Sequence, residues 1–156
     1  MRIGNSNESF TCFFHKYKEL LQFNVLKKSI NMLKKTFTVK FKIVPTPNSK
    51  EYIVEVNYKI NEYPIVWVYG LIEENKSDDV FPHVYKVCAE ENKVRLCLYM
   101  QKYMEYNKKE PFSKNIIPWI CEWLNFYEIY KITGRWYGNG EHPPKGESYK
   151  NNYDED

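Results

Sequence analysis

The spacing of apolar residues changes from helical to alternating and back again along this chain, and that change restricts the fold more than any other feature. Phe37, Val39, Phe41 and Ile43 alternate with Thr38, Lys40 and Lys42, and a period of two puts the apolar set on one face of a strand. The segment 45–50, Pro-Thr-Pro-Asn-Ser-Lys, reads as a turn, because proline fixes φ and Asn and Ser bond their own backbone. Tyr52, Val54, Val56, Tyr58 and Ile60 repeat the alternation at hairpin distance. After Asn61 and Glu62, the run Pro64-Ile-Val-Trp-Val-Tyr69 is more uniformly apolar and so reads as a central strand. A three-stranded antiparallel meander is predicted, ended by the polar stretch Glu73 to Asp79.

On both sides the period is helical. Phe10, Phe13, Phe14, Tyr17, Leu20, Leu21, Val25, Ile30 and Leu33 recur mostly at three- and four-residue steps. They predict a helix capped by Ser9 and running to about Lys34, broken near Phe23 and Asn24. Ile116, Ile117, Trp119, Ile120, Trp123, Leu124, Tyr127 and Tyr130 predict a second helix, Ile116 to Ile132. Ser113 or Asn115 can cap it, Pro118 is tolerated only in its first turn, and Gly134 stands where a left-handed terminating residue is usual. The fold class is α+β. At 156 residues the chain can close one core, removing roughly 70% of the surface an unfolded chain exposes. A single domain over 1–156 is expected, with 1–8 and 143–156 flexible.

The formal charge of +3 lacks the strongly basic character of a dedicated nucleic-acid binder. Eight Lys and one acid, Glu19, lie between Lys16 and Lys42, and three acids close the last six residues. These read as a solvated helix face and a frayed acidic tail. The longest apolar run, Ile65 to Ile72, is eight residues, against the roughly 20 a membrane span requires. Without the charged, apolar and small-residue pattern of a secretory leader, none is expected, and Cys12, Cys88, Cys97 and Cys121 are expected as reduced thiols in the cytoplasm.

Cys97 stands in the apolar triplet Leu96-Cys97-Leu98, fourteen residues after His83. By composition alone a cysteine there is more often a packed core thiol. Cys88, between Val87 and Ala89, is a competing nucleophile without a signal of its own, and Cys121 reads as core. Cys12 and His15 lie three apart on the first helix, a spacing two metal ligands can use, but no second pair stands at zinc spacing, and no metal is expected. His142, in Gly-Glu-His-Pro-Pro, has no evident partner. Trp119, Trp123 and Trp136 resemble a base-stacking platform only in composition, and at helical spacing Trp119 and Trp123 read as core. Gly138-Asn-Gly140 is too short to cradle a phosphate, so no cofactor is expected.

The order Pro82-His83-Val84-Tyr85, a short turn, then Leu96-Cys97-Leu98 resembles the active-site segment of ubiquitin-conjugating enzymes. Ile116-Ile-Pro-Trp-Ile-Cys-Glu-Trp-Leu-Asn-Phe-Tyr-Glu and Thr133-Gly-Arg-Trp136 bring it closer to one branch. That branch is the standalone conjugating-like proteins of short type II CBASS loci, bacterial cyclic-oligonucleotide-based antiphage systems. The similarity runs from Phe37 to His142. It implies a thioester-forming transferase with Cys97 as nucleophile and His83 in support. The carrier it implies is the C-terminus of a cGAS-like nucleotidyltransferase, with an activating partner, because a thioester from a free carboxylate is uphill. A thioester keeps an acyl group activated and leaves readily to an amine. The family's oxyanion-stabilising Asn has no match, since Val84 and Tyr85 follow His83 directly. That support must come from elsewhere, backbone N–H groups near Cys97 or the Tyr85 or Tyr99 hydroxyl. The alternative is a catalytically inactive conjugating-like fold serving as a protein-interaction module.

Overall fold

The Ser9 hydroxyl accepts the Cys12 N–H at 3.0 Å and starts α1 (Phe10–Leu20), as its capping chemistry predicts. In the computed structural model, which describes residues 7–74, 83–98 and 106–138, α1 ends there instead of continuing to Lys34. Asn24–Asn31 is a strand, β1. Asn24, Ser29 and Asn31 are weak helix formers, and β1 gains a partner in β2 (Thr36–Ile43), antiparallel from Asn24↔Lys42 to Asn31↔Thr36. The Asn31 carboxamide closes the turn, accepting the N–H groups of Leu33 and Lys34 at 3.1 and 2.9 Å. A bulge between Val25 and Lys27 and the exposure of most β1 side chains leave an edge strand without a readable alternation.

The three alternating runs are strands, as predicted. β2, β3 (Tyr52–Lys59) and β4 (Ile65–Tyr69) pair antiparallel, and Phe37, Val39, Phe41, Tyr52, Val54, Val56, Tyr58, Val66 and Val68 fill one buried face. The sheet is larger than the predicted meander. A short helix, α2 (Leu71–Glu74), follows β4, and the chain re-enters the described residues at His83 as a hairpin of β5 (Val84–Cys88) and β6 (Lys93–Leu96). The later strand, β6, is the one that pairs with β4, giving six strands in the order β1-β2-β3-β4-β6-β5. β4 is therefore central, as its uniform apolarity indicated.

A single 3₁₀ turn, Phe112–Lys114, leads into α3 (Ile116–Thr133). Asn115, not Ser113, is its cap, accepting the Ile116 N–H at 2.6 Å. Gly134 ends the helix at φ 73° with its N–H on the Tyr130 carbonyl at 2.8 Å, a conformation that costs glycine little. Both long helices cover the same sheet face. The Phe13 ring of α1 lies 5.4 Å from Phe37, and the Tyr127 ring of α3 meets Tyr52 edge-on at 6.5 Å.

The lysine-rich stretch is not one solvated helix face. Lys27, Lys28, Lys34 and Lys35 are exposed on β1 and its turn, whereas Lys16 is 0% exposed. Its ammonium pairs with Glu8 at 2.7 Å and also donates to the hydroxyls of Tyr58 (3.0 Å) and Tyr106 (3.2 Å) and to the Lys108 carbonyl (2.5 Å). Glu8, expected within a flexible leader, is buried, accepts the Asn61 N–H at 2.8 Å and donates its own N–H to the Asn61 side chain at 2.7 Å. Burial pushes the pKa of both tyrosine hydroxyls up, so they remain donors in this cluster. The pair ties the start of the chain to the β3–β4 turn and to residues 106–108.

Removing one partner of a buried ion pair leaves an uncompensated charge, which costs about 3–5 kcal/mol. Lys16→Met should therefore lose stability on that scale in urea titration, and Lys16→Met with Glu8→Gln should recover part of it. A single variant with the parent's midpoint would show that the pair contributes nothing.

Candidate active site

Strand β6 ends at Leu96, and the next residue is Cys97. Its backbone N–H donates to the His83 carbonyl at 2.8 Å, one step beyond the Val84↔Leu96 pair, so the hairpin ladder carries on to the cysteine. The same carbonyl accepts the Trp123 indole N–H at 3.0 Å. His83 is left-handed, at φ 54°, a region that costs an L-residue roughly 1–2 kcal/mol. Two hydrogen bonds of about 0.5–1.5 kcal/mol each can hold it there. One carbonyl oxygen thus joins the loop before β5, the loop after β6 and the middle of α3.

A cleft of about 350 Å³ opens at this junction. Cys97, half-buried, and the buried His83 stand on its hairpin side. The helix side is Trp119, Glu122, Trp123 and Phe126, whose three- and four-residue steps put them on one face of α3. Gly134 turns the chain back over that face, so Trp136 packs 5.1 Å from the His83 ring, 5.4 Å from Trp123, 5.9 Å from Phe126 and 6.2 Å from Tyr130, centroid to centroid. Glu122 is the single acid among the lining residues and is exposed. An aromatic, open-sided cleft lined by a cysteine can seat a neutral, extended chain segment.

The other predicted residues lie elsewhere. Cys88 pairs with Lys93 at the far end of the hairpin, four residues from Val84 and hence roughly 13 Å away along the strand, with its thiol 3.7 Å from a Glu91 oxygen. Cys121 does not line the cleft, and burial pushes its thiol pKa up. The Cys12 thiol faces the carbonyls of Lys108 (3.7 Å) and Lys109 (3.5 Å), whereas His15 pairs with Glu19 at 2.9 Å, so these two side chains do not converge on one point. His142 and Tyr99 lie outside the described residues. Tyr85 is not among the lining residues, its ring lying 5.3 Å from the Arg95 guanidinium. The Cys97 N–H, one of the backbone groups considered for oxyanion support, is already engaged by His83.

Trp123 is core, as its spacing indicated, but Trp119 is half-buried on the cleft wall. Glu122, Phe126 and Gly138 also line the cleft; the first two were not singled out by sequence, and Gly138 was weighed only as part of a phosphate loop. The signal for the first two was present, since 119, 122, 123 and 126 follow one helical stripe.

A family model described as the type II CBASS E2 protein matches residues 17–143. The chain belongs to that family. No curated protein matches it. The six-stranded antiparallel sheet with its flanking helices is an E2-like fold, and membership implies a role of this CBASS E2 protein in antiphage defence. Among the described residues no helix is long and apolar enough to cross a membrane.

Two substitutions separate packing from chemistry in this E2 protein. Cys97→Ala shortens a half-buried residue on the cleft wall and should melt within a few degrees of the parent, because sites away from packed features change stability by about 0.5 kcal/mol or less. Trp123→Ala removes a buried ring and one of the two donors on His83. It should cost about 3–5 kcal/mol and give insoluble or molten protein, judged by near-ultraviolet circular dichroism. A fully stable Trp123→Ala that merely loses partner binding would contradict the assignment.

Proposed function

We propose that Cys97 accepts the acyl group of a protein C-terminus as a thioester and passes it to an amine. The observation that carries this reading is the position of Cys97: of the four cysteines, it is the one that lines the aromatic cleft. The cleft's aromatic walls suit an extended C-terminal tail, and its one carboxylate, Glu122, disfavours an acidic one. The carrier proposed is the cGAS-like nucleotidyltransferase of the same defence system, and the site of action is the cytoplasm, where free thiols persist.

In the proposed reaction the thiolate attacks an activated acyl carbon, forming a C–S bond while the activating group leaves. An amine then attacks the thioester, a C–N bond forms, and the thiolate returns to Cys97. The activated donor is a thioester or an acyl adenylate made by a partner, since a free carboxylate would have to be raised in energy first. His83 acts as a positioning residue, its carbonyl holding the Cys97 backbone.

The test is a covalent adduct with the carrier and its activating partner that disappears on adding thiol. Cys97→Ser should abolish it or convert it to a thiol-resistant oxygen ester, because the hydroxyl is the weaker nucleophile and the ester the more durable product. Deleting the carrier's last few residues should weaken its binding. An adduct that persists in Cys97→Ala would overturn the proposal. Tail-dependent binding with no adduct under any activating condition would favour an interaction module instead.

A further inference from the structure

We infer that the indole N–H of Trp136 is the hydrogen-bond donor that receives the negative charge on the acyl carbonyl oxygen when Cys97 gains or loses its acyl group. The inference rests on the reading of Cys97 as the acyl acceptor, and it supplies an oxyanion donor where the Asn has no match and Tyr85 does not line the cleft.

Two N–H donors at this junction are spent within it. The Cys97 N–H is committed to the His83 carbonyl at 2.8 Å, and the Trp123 indole N–H to the same oxygen at 3.0 Å. Neither can turn to an oxyanion without breaking the junction that positions the cysteine. The Trp136 indole, which lines the cleft with Cys97, donates to no acceptor among the described residues. An indole nitrogen is a donor only, so an unspent one beside a nucleophile is available to a developing negative charge. Its ring is held on several sides by His83, Trp123, Phe126 and Tyr130, which fixes the direction of the N–H before substrate arrives.

Gly138 lets the chain pass close against this ring. A Cβ there would stand 2.5 Å from the Trp136 Nε1 and 2.9 Å from Phe126 Cδ2, closer than side-chain contacts allow, so any other residue would displace the indole from its place on the cleft wall.

During loading from a donor thioester, the Cys97 thiolate attacks the carbonyl carbon, the C–S bond forms and the carbonyl π pair moves to oxygen. Trp136 donates to that oxygen and keeps its proton. Collapse re-forms the carbonyl and expels the donor's thiolate. During discharge the amine lone pair attacks, the C–N bond forms, the C–S bond breaks, and the amine's proton passes to water.

A synthetic peptide thioester with a mercaptoethanesulfonate leaving group tests loading without an activating partner, and hydroxylamine tests discharge. Replacing Trp136 by benzothienylalanine exchanges the N–H for sulfur while keeping the bicycle, so it serves where Trp136→Phe fails to fold. Both replacements should slow loading and discharge by about 10²-fold, the loss typical of one oxyanion donor. With benzothienylalanine, which keeps the cleft wall, KM for the thioester and the rate of Cys97 alkylation by iodoacetamide should stay near parental values, since neither involves an oxyanion. Gly138→Ala should also slow both steps by pushing the indole out of place. Benzothienylalanine at 136 with parental loading and discharge rates would overturn the inference, as would an alkylation rate that falls with them, which would make Trp136 a support for the cysteine. A parent protein that takes no acyl group on Cys97 would instead overturn the reading beneath it.

Discussion

The carbonyl oxygen of His83 accepts two N–H groups, from the Cys97 backbone and from the Trp123 indole, and the site is assembled around it. Without the first bond the chain after β6 would have no fixed relation to the chain before β5. Without the second the hairpin would be free to slide along α3. The left-handed backbone at His83 is what turns this oxygen toward both donors at once. Because the donors come from segments far apart in sequence, the thiol is placed only when sheet and helix have both formed.

The sheet topology explains why the cysteine ends up beside α3. β6 inserts between β4 and β5, so its pairing with β4 continues the sheet and carries its C-terminal exit to the helix-covered side. α3 contributes the packed residues Ile120, Leu124 and Tyr127 to the core and Trp119, Glu122 and Phe126 to the cleft. The left-handed Gly134 lets the same helix return Trp136 over its own face. The Lys16–Glu8 pair fastens α1, the β3–β4 turn and residues 106–108 together.

The strands that were legible in the sequence are those with one wet and one dry face. β2 and β3 alternate because their partners lie on both sides and helices cover one face. β1 has exposed side chains and a bulge, so Val25, Ile30 and Leu33 show a false helical spacing that hides the edge strand. The β5–β6 hairpin was missed because its strands have only five and four residues, with a register shift between Val84 and Lys86. Cys97 and His83 were readable through resemblance, and the structure brings them to one cleft. The burial of Lys16 was not readable, since its partners Tyr58 and Tyr106 are 42 and 90 residues away and Glu8 lies in a polar leader. Gly138 looked like part of a loop, and only the ring contacts show why a side chain would not fit there.

The central claim is that the fold selects one thiol out of four, and it can be tested without any variant. The native chain, treated with a single equivalent of a peptide thioester at neutral pH, would be digested without reducing agent and mapped by tandem mass spectrometry. The account predicts the acyl group on Cys97, with Cys12, Cys88 and Cys121 bearing little of it, because those three lie away from the cleft. An acyl group found mainly on Cys88, or spread over the cysteines in proportion to their exposure, would contradict it.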